Sequence, residues 1–155
     1  MSFKTDCGGI ALKADIKLSK AGTTWNTRLS QIGRNNSLVT LCTFSAGDID
    51  YLSKILSKRQ YGVGIRIIGN EKCEWKMIRL KQMFPAAQFF VSPYAHAKLA
   101  LVAPSTVWVS SENLGRTRDV FDASIGIHSE EAYQHYLSQV ESLLRRRDTR
   151  EIKEV

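Results

Sequence analysis

The residues of this sequence best suited to chemistry are four polar side chains in two pairs, His96 with Lys98 and Ser111 with Asn113. Residues two apart on a β-strand point to the same face. The segment between the pairs, residues 99–105, is largely apolar and ends in Pro-Ser, which predicts a hairpin. The hairpin would present imidazole, ammonium, hydroxyl and amide groups toward one point. Such a set suits a phosphate, because it offers a nucleophile, a cation and neutral donors for the oxygens.

The elements that would hold these residues alternate between strands and helices from residue 37 onward. Apolar and β-branched runs predict strands at residues 37–44, 63–68, 88–91 and 123–128, in addition to the hairpin. Helical periodicity predicts helices at residues 48–58, 71–84 and 129–147. In the second helix, Trp75, Ile78 and Leu80 are expected to face inward. The pattern favours an α/β fold, with a layered mixed β-sheet flanked by helices.

The two ends of the chain carry weaker patterns than its middle. We expect one domain over residues 1–155, with its core at about residues 36–147. The segment before residue 36 leaves two elements open, an edge strand at residues 10–18 and a short helix at residues 25–32. The charged tail, residues 148–155, is expected to be frayed.

The stretch His96-Ala-Lys98, followed by Ser111-Glu-Asn113, resembles the H-x-K…[GS]-S-x-N signature of the phospholipase D superfamily. The strand–helix–strand order before the motif and the strand after it are also similar to that family, so the resemblance covers about residues 36–144. Family members cleave phosphodiesters through a phosphohistidine intermediate. The resemblance implies a phospholipase D-like fold in which His96 is the nucleophile. It assigns the binding of phosphate oxygens to the other three residues, with Asn113 the firmer assignment.

The sequence departs from the family pattern at two positions. The family usually has an aspartate seven residues after the histidine, where this chain has Ala103. The acidic residue after the motif, usually glutamate, falls on Asp122, with Asp119 a weaker candidate. The resemblance implies that this carboxylate hydrogen-bonds the far nitrogen of His96 and fixes its tautomer.

The motif occurs only once, and this predicts a homodimer. The family mechanism needs two histidines, one to attack phosphorus and one to protonate the leaving oxygen. We therefore expect an isologous dimer with the active site on its two-fold axis and His96 facing the partner's His96. Trp108, Phe89 and Tyr94 are candidates for the interface, although core packing is the simpler role for each.

The charge of the chain favours a polyanionic partner. Its formal net charge is +7, with 24% charged and 43% hydrophobic residues. Arg116 and Arg118 follow Asn113 closely and are expected to contact flanking phosphates. The basic residues of the second predicted helix are more simply a solvated face: Lys72, Lys76 and Arg79.

No pattern in the sequence indicates a cofactor or a membrane span. The three cysteines are widely spaced and fit neither a disulfide framework nor a zinc site, and we expect no metal or other cofactor. No apolar run approaches the length of about 18 residues that a membrane span needs. No signal peptide is visible at the N-terminus, so we expect a cytoplasmic protein.

These observations predict a metal-independent phosphodiesterase, most simply an endonuclease that acts on DNA or RNA at a homodimer active site. Two alternatives stay open. One is a nucleic-acid-binding module with the same fold and little catalysis, for which Ala103 is the reason. The other is a hydrolase of phospholipid or of another phosphodiester.

Overall fold

The computed structural model describes residues 15–20, 37–59, 64–115 and 121–153, which are organised by a mixed β-sheet of eight strands. The order across the sheet is β1-β7-β6-β5-β2-β3-β4-β8. The strands β2, β3 and β4 are parallel to each other, and the remaining pairs are antiparallel. The α/β class and the mixed sheet are therefore confirmed. The strand bounds are β1 Asp15–Lys20, β2 Val39–Thr43, β3 Ile65–Asn70, β4 Gln88–Ser92, β5 Leu99–Val102, β6 Thr106–Ser110, β7 Phe121–His128 and β8 Arg150–Glu151.

Three α-helices of the described residues match the predicted ones, with slightly shorter bounds. They are α1 (Ile49–Leu56), α2 (Glu74–Met83) and α3 (Glu130–Leu144). Asp48 caps α1 by accepting a hydrogen bond from the backbone N–H of Asp50 at 2.8 Å. Ser129 caps α3 in the same way, through the N–H of Ala132 at 3.1 Å.

The helices cover the two faces of the sheet and define two core layers. Alternate residues of β2 show this division, since Leu41 packs with the α1 and α2 layer and Cys42 packs with the α3 layer. The apolar stripe predicted for the last helix lies on the sheet, where Tyr133 and Val140 are buried. Because both faces of the sheet are covered, every residue of β2 and β3 is buried.

One edge of the sheet collects the segments that carry the predicted site residues. The parallel strands β2, β3 and β4 all end there, and the antiparallel register makes β5 begin, β6 end and β7 begin at the same edge. The loops at residues 93–98 and 111–115 therefore lie at this edge. In open α/β sheets, ligands bind outside the carboxyl ends of the strands.

The prediction that Trp75 faces inward is wrong, because its side chain is 59% exposed. A 3-10 turn at Glu71–Cys73 precedes α2. The inward face of this segment follows Cys73, Met77 and Leu80, which recur at spacings of four and three and are all buried. Ile78 is partly buried against the same layer, as expected.

The prediction of a frayed tail is also wrong for the described residues. Strand β8 pairs antiparallel with β4, and Ile152 is buried in the core. Arg150 binds both carboxylate oxygens of Glu74, at 2.7 and 2.9 Å. A two-residue strand has no periodicity that a sequence pattern can reveal.

At the N-terminal end, the described residues confirm the edge strand, with different bounds. Strand β1 (Asp15–Lys20) lies at one side of the sheet and pairs antiparallel with β7. The helix considered at residues 25–32 lies outside the described residues. Of the candidate interface residues, Phe89 and Trp108 are core residues, whereas Tyr94 is exposed. No helix in the described ranges is long and apolar enough to cross a membrane.

Candidate active site

His96 and Lys98 lie in the loop between β4 and β5, and not on a strand as predicted. The hairpin nevertheless extends one residue into this loop, because the N–H of Ser110 donates to the carbonyl of Lys98 at 3.0 Å. The predicted hairpin is thereby confirmed as β5 and β6. The Lys98 ammonium donates to the backbone carbonyl of His96 at 3.2 Å, so the two residues are linked directly.

The side chain of Phe44 lies between the predicted site and the end of β2. Its ring centroid is 5.0 Å from that of the His96 imidazole, at a tilt of 50°. The Lys98 ammonium lies 5.9 Å from the same centroid, and the Lys72 ammonium lies 5.5 Å from it. One aromatic ring therefore contacts the predicted nucleophile and two cations, and each ammonium gains from the electron-rich face of the ring.

The loop that carries His96 is held by Asn70, the last residue of β3. The buried Asn70 amide donates to the carbonyls of Pro93 and Ala95, at 3.0 and 3.1 Å. Its oxygen accepts from the N–H of Lys72 at 3.1 Å. Asn70 thus fixes the start of the histidine loop and of the 3-10 turn together. Asn70 was not among the residues predicted from the sequence. Its position at the end of a strand could have identified it, because asparagine side chains at such positions often hydrogen-bond the backbone of the following loop.

Asn113 lies in a loop that is joined to the loop after β2. Its Oδ1 accepts from the N–H of Ser45 at 3.2 Å. The same two loops share a short parallel bridge between Ala46 and Leu114, and the N–H of Leu114 donates to Thr43 Oγ1 at 2.8 Å. Within the described residues, the Asn113 amide nitrogen has no hydrogen-bond partner, so it retains two donors for a ligand.

Gly115 completes the junction of these two loops. Its φ of 111° lies in the region that glycine adopts readily. A Cβ at this position would lie 2.9 Å from the backbone of Gly47. Glycine is therefore required both by conformation and by the close approach of the two loops.

Ser111 and Asp122 form a second pair at the same edge. The Ser111 hydroxyl donates to Asp122 Oδ1 at 2.8 Å and accepts from the N–H of Ala123 at 3.0 Å. The other carboxylate oxygen of Asp122 is buried and has no partner among the described residues. The Ser111 proton is committed to this carboxylate, whereas the N–H groups of the Asn113 amide are available to a ligand.

The contact expected between Asp122 and His96 is not formed in the described part of the protein. The carboxylate binds Ser111 instead, and the imidazole makes no hydrogen bond there. The aspartate here is shorter by one methylene than the glutamate usual in the family. In addition, the Asp122 carboxylate is held by the Ser111 hydroxyl. Asp122 therefore positions Ser111, while Phe44 contacts the His96 ring.

His96 is exposed at this edge. Burial raises the pKa of the Cys42 thiol to about 11, and it also raises the pKa of Cys73. Both thiols therefore remain protonated near neutral pH, where they are poor nucleophiles.

Ala103 lies at the hairpin turn after β5, at the opposite edge of the sheet from His96. Its N–H donates to the carbonyl of Leu38, which precedes β2. An aspartate at this position would not reach the candidate site. The absence of that aspartate therefore removes no group from the candidate site.

The other predicted basic residues have different environments. Lys76 donates to the carbonyls of Ala46 and Gly47, at 2.7 and 2.9 Å, so it supports the loop beside Asn113. Lys72 extends over Phe44, and both residues were missed as parts of the site. The predicted phosphate contacts Arg116 and Arg118, and the alternative acid Asp119, lie outside the described residues.

Comparison with family models and with curated proteins finds no match to this sequence. Among solved structures, the chain is similar to Nuc from Salmonella typhimurium, a phospholipase D family member. The two share 14% sequence identity, with a TM-score of 0.74 over 92% of this chain and 100% of that chain. The chain has the phospholipase D fold.

Two further structures with the phospholipase D-like fold extend the comparison. NucT from Helicobacter pylori shares 16% identity, with a TM-score of 0.66 over 84% of this chain and 96% of that chain. TrmBL2, an archaeal chromatin protein with a novel mode of DNA binding, shares 7% identity, with a TM-score of 0.63 over 88% of this chain and 53% of that chain. The phospholipase D fold predicted from the sequence is thus confirmed by structures of very low identity.

Proposed function

We propose that this protein is a member of the phospholipase D superfamily that hydrolyses phosphodiester bonds in DNA or RNA. His96 is the nucleophile, and Lys98 and Asn113 bind the phosphate oxygens. Ser111 and Asp122 support the loop that presents Asn113. The observation that carries the proposal is the convergence of the exposed imidazole and two ammonium groups on Phe44, at the edge where the Asn113 donors are available.

In the first step, an imidazole nitrogen of His96 attacks phosphorus and the P–O bond to the leaving nucleoside breaks. A proton from a general acid goes to the leaving oxygen. In the second step, water attacks the phosphohistidine, a general base takes the water proton, and the P–N bond breaks. The phosphate product and free His96 are regenerated. Ammonium and amide groups stabilise the charge that accumulates on the phosphate oxygens in both steps.

The general acid and base is the partner's His96 in a symmetric dimer. Within the described residues, His128 is hydrogen-bonded to Thr106 at the far end of β6, and His135 lies on α3 against Tyr136. Neither of these histidines is at the site edge. If the two-fold axis of the dimer lies beside His96, the partner's His96 supplies the second imidazole, although each chain has a single motif.

Nucleic acid is the substrate that the charge of the chain favours. A net charge of +7 on 155 residues attracts a polyphosphate, and two ammonium groups flank the imidazole. The proposed reaction needs no metal, because the nucleophile and the charge-stabilising groups are side chains.

The test is cleavage of labelled single-stranded DNA, duplex DNA and RNA in excess EDTA, by the wild type and by His96→Ala. Cleavage that survives EDTA and is lost in the variant is the expected result. His128→Ala is the matched control, since it removes an exposed imidazole away from the site edge. Cleavage by His96→Ala at the wild-type rate would overturn the proposal.

A nucleic-acid-binding module with little catalysis is the second candidate. The observation that favours it is the missing hydrogen bond between Asp122 and His96 within the described residues. An imidazole without a carboxylate partner lacks a group that fixes its tautomer. Binding of DNA or RNA by a folded dimer, with no turnover that depends on His96, would support this candidate over the nuclease.

A further inference from the structure

Trp75 is the most exposed large apolar residue in the described part of the chain, at 59%. Its ring has one cation beside it. The Lys76 ammonium lies 5.3 Å from the ring centroid, and the same ammonium is anchored by the carbonyls of Ala46 and Gly47. The exposed ring offers an aromatic surface on which a ligand ring can stack.

Two exposed cations lie near Trp75 along the chain. Arg79 follows it by four residues in α2, which is a spacing of side-chain neighbours on a helical surface, and Lys72 precedes it by three residues, in the 3-10 turn that leads into α2. We call these three residues the α2 strip. Its order of cation, aromatic ring and cation is the composition of sites that bind single strands, where bases stack on aromatic rings and phosphates meet positive charge.

The α2 strip begins at the candidate active site. Lys72 lies over Phe44, whose ring also contacts His96. Since β3 ends at the site edge, α2 begins there and carries Trp75 and Arg79 away from it. A nucleic-acid strand bound along the strip would therefore lead directly to the proposed nucleophile, His96.

The acidic residues near the strip do not cancel its charge. Glu74 is bound by two nitrogens of Arg150, so its negative charge is compensated. Glu71 is the one acidic residue of the 3-10 turn, and it is exposed next to Lys72. Lys72, Lys76 and Arg79 outnumber these two acids along the segment.

We propose that the α2 strip binds single-stranded nucleic acid next to the active site, with an unpaired base stacked on Trp75 and phosphates on Lys72 and Arg79. This inference deepens the proposed function, because it specifies a single strand as the preferred substrate. A paired base in a duplex has its faces covered by its neighbours, so a duplex gains nothing from Trp75.

The test is fluorescence anisotropy with labelled oligothymidylate and with a labelled DNA duplex of equal length, in the His96→Ala background to prevent cleavage. We expect Trp75→Ala to weaken binding of the single strand by about tenfold or more, the usual worth of one base–aromatic stack. Trp75→Phe keeps a ring and is expected to restore most of the affinity. Binding of the duplex is expected to change by less than about twofold, because it makes no such stack.

Leu38→Ala is the matched control for the loss of an exposed apolar side chain. Leu38 is 37% exposed and precedes β2, at the edge opposite the active site. Arg79→Ala is expected to weaken binding of the single strand as well, because it removes a cation of the strip, and Lys58→Ala, an exposed lysine after α1, is its control. Neither control is expected to change the affinity for the single strand.

Three outcomes would overturn the inference. The first is that Trp75→Ala does not change the affinity for the single strand, and the second is that it weakens single-strand and duplex binding equally. The third is that it dissociates a dimer in sedimentation experiments, which would assign the strip to a second copy of the chain. Failure of the nuclease proposal is distinguishable from these. If the wild type cleaves nothing but single-strand binding depends on Trp75, the α2 strip stands and the catalytic proposal falls.

Discussion

The two halves of the candidate site are built in opposite ways. The histidine half, His96 and Lys98, is a loop whose imidazole is exposed and contacts only an aromatic ring in the described structure. The amide half, Ser111 and Asn113, is tied by side-chain hydrogen bonds to the loop after β2 and to β7. The backbone of the first half is supported by Asn70 but its imidazole has no hydrogen bond among the described residues, whereas the side chains of the second half are hydrogen-bonded.

This difference separates reactivity from preorganisation. The imidazole of the histidine half would form the bond to phosphorus, and among the described residues no carboxylate fixes its tautomer. Donors that stabilise an oxyanion act best when they are already in position. Substitutions in the two halves should accordingly change different measured quantities.

The largest effect is expected for His96→Ala, which removes the nucleophile. We expect kcat on an oligonucleotide to fall by at least about 10³-fold, as for other covalent catalysts. The free energy of unfolding should change by less than about 0.5 kcal/mol, because the side chain is exposed. Steady-state kinetics and urea denaturation measure the two quantities. Large destabilisation with proportional loss of activity would show that the histidine half is structural.

The next effect is expected for Asn113→Asp, which keeps the oxygen that accepts from Ser45 but removes the amide donors. We expect kcat to fall by about 10²-fold, the usual cost of one lost oxyanion donor. The free energy of unfolding should change little, since the bond to Ser45 survives. Steady-state kinetics on one defined oligonucleotide measures kcat, and thermal denaturation measures the change in stability. Unchanged kcat would mean that the Asn113 donors do not reach the phosphate.

A smaller effect is expected for Asn70→Ala, which removes the support of the histidine half without touching His96. Two carbonyls lose their donors, so the free energy of unfolding should fall by about 1–3 kcal/mol. The kcat should fall as well at temperatures well below the midpoint of unfolding. Ser138→Ala is the control, because its exposed hydroxyl also donates to a backbone carbonyl, in α3. Equal stabilities of the two variants would contradict the role assigned to Asn70.

The smallest effect is expected for Glu74→Gln, which lies outside both halves. The hydrogen bond from Arg150 lowers the pKa of Glu74 in the folded protein. The pair therefore stabilises the fold at pH values above the ordinary pKa of glutamate. This contribution is lost as the pH falls through the lowered pKa of Glu74. We expect a loss of less than about 1 kcal/mol at neutral pH, as for other surface pairs.

The pH dependence of Glu74→Gln is the sharper readout. The difference in free energy of unfolding between the wild type and this variant should shrink as the solution is acidified below the ordinary glutamate range. Denaturation curves at several pH values measure it. A difference that grows on acidification would contradict the sign derived from the pair, and kcat should be unaffected throughout.

The sequence predicted the elements and the motif better than the contacts within the site. Periodicity located α3 and the hairpin because their apolar faces are long and regular. It gave the wrong orientation for Trp75, because a 3-10 turn shifted the phase of the helical face. The tail was missed because a two-residue strand depends on its partner β4 and on no pattern of its own.

Within the site, the residue types were predictable and their partners were not. Phe44 follows β2 and Asn70 ends β3, and only the folded sheet brings them to the loop of His96. Asp122 was assigned to His96 by the family pattern, but one oxygen of its carboxylate accepts from Ser111 instead. Partners of this kind depend on distances between loops, which spacing along the sequence does not encode.

The most direct test of the central claim, that His96 attacks phosphorus, is to trap the covalent intermediate. A labelled oligonucleotide is mixed with the wild type in EDTA, quenched in alkaline detergent, and resolved by denaturing electrophoresis. We predict a labelled protein band that maps to the peptide containing His96 and is lost in His96→Ala. A label on another residue, or a wild type that cleaves without ever becoming labelled, would contradict the claim.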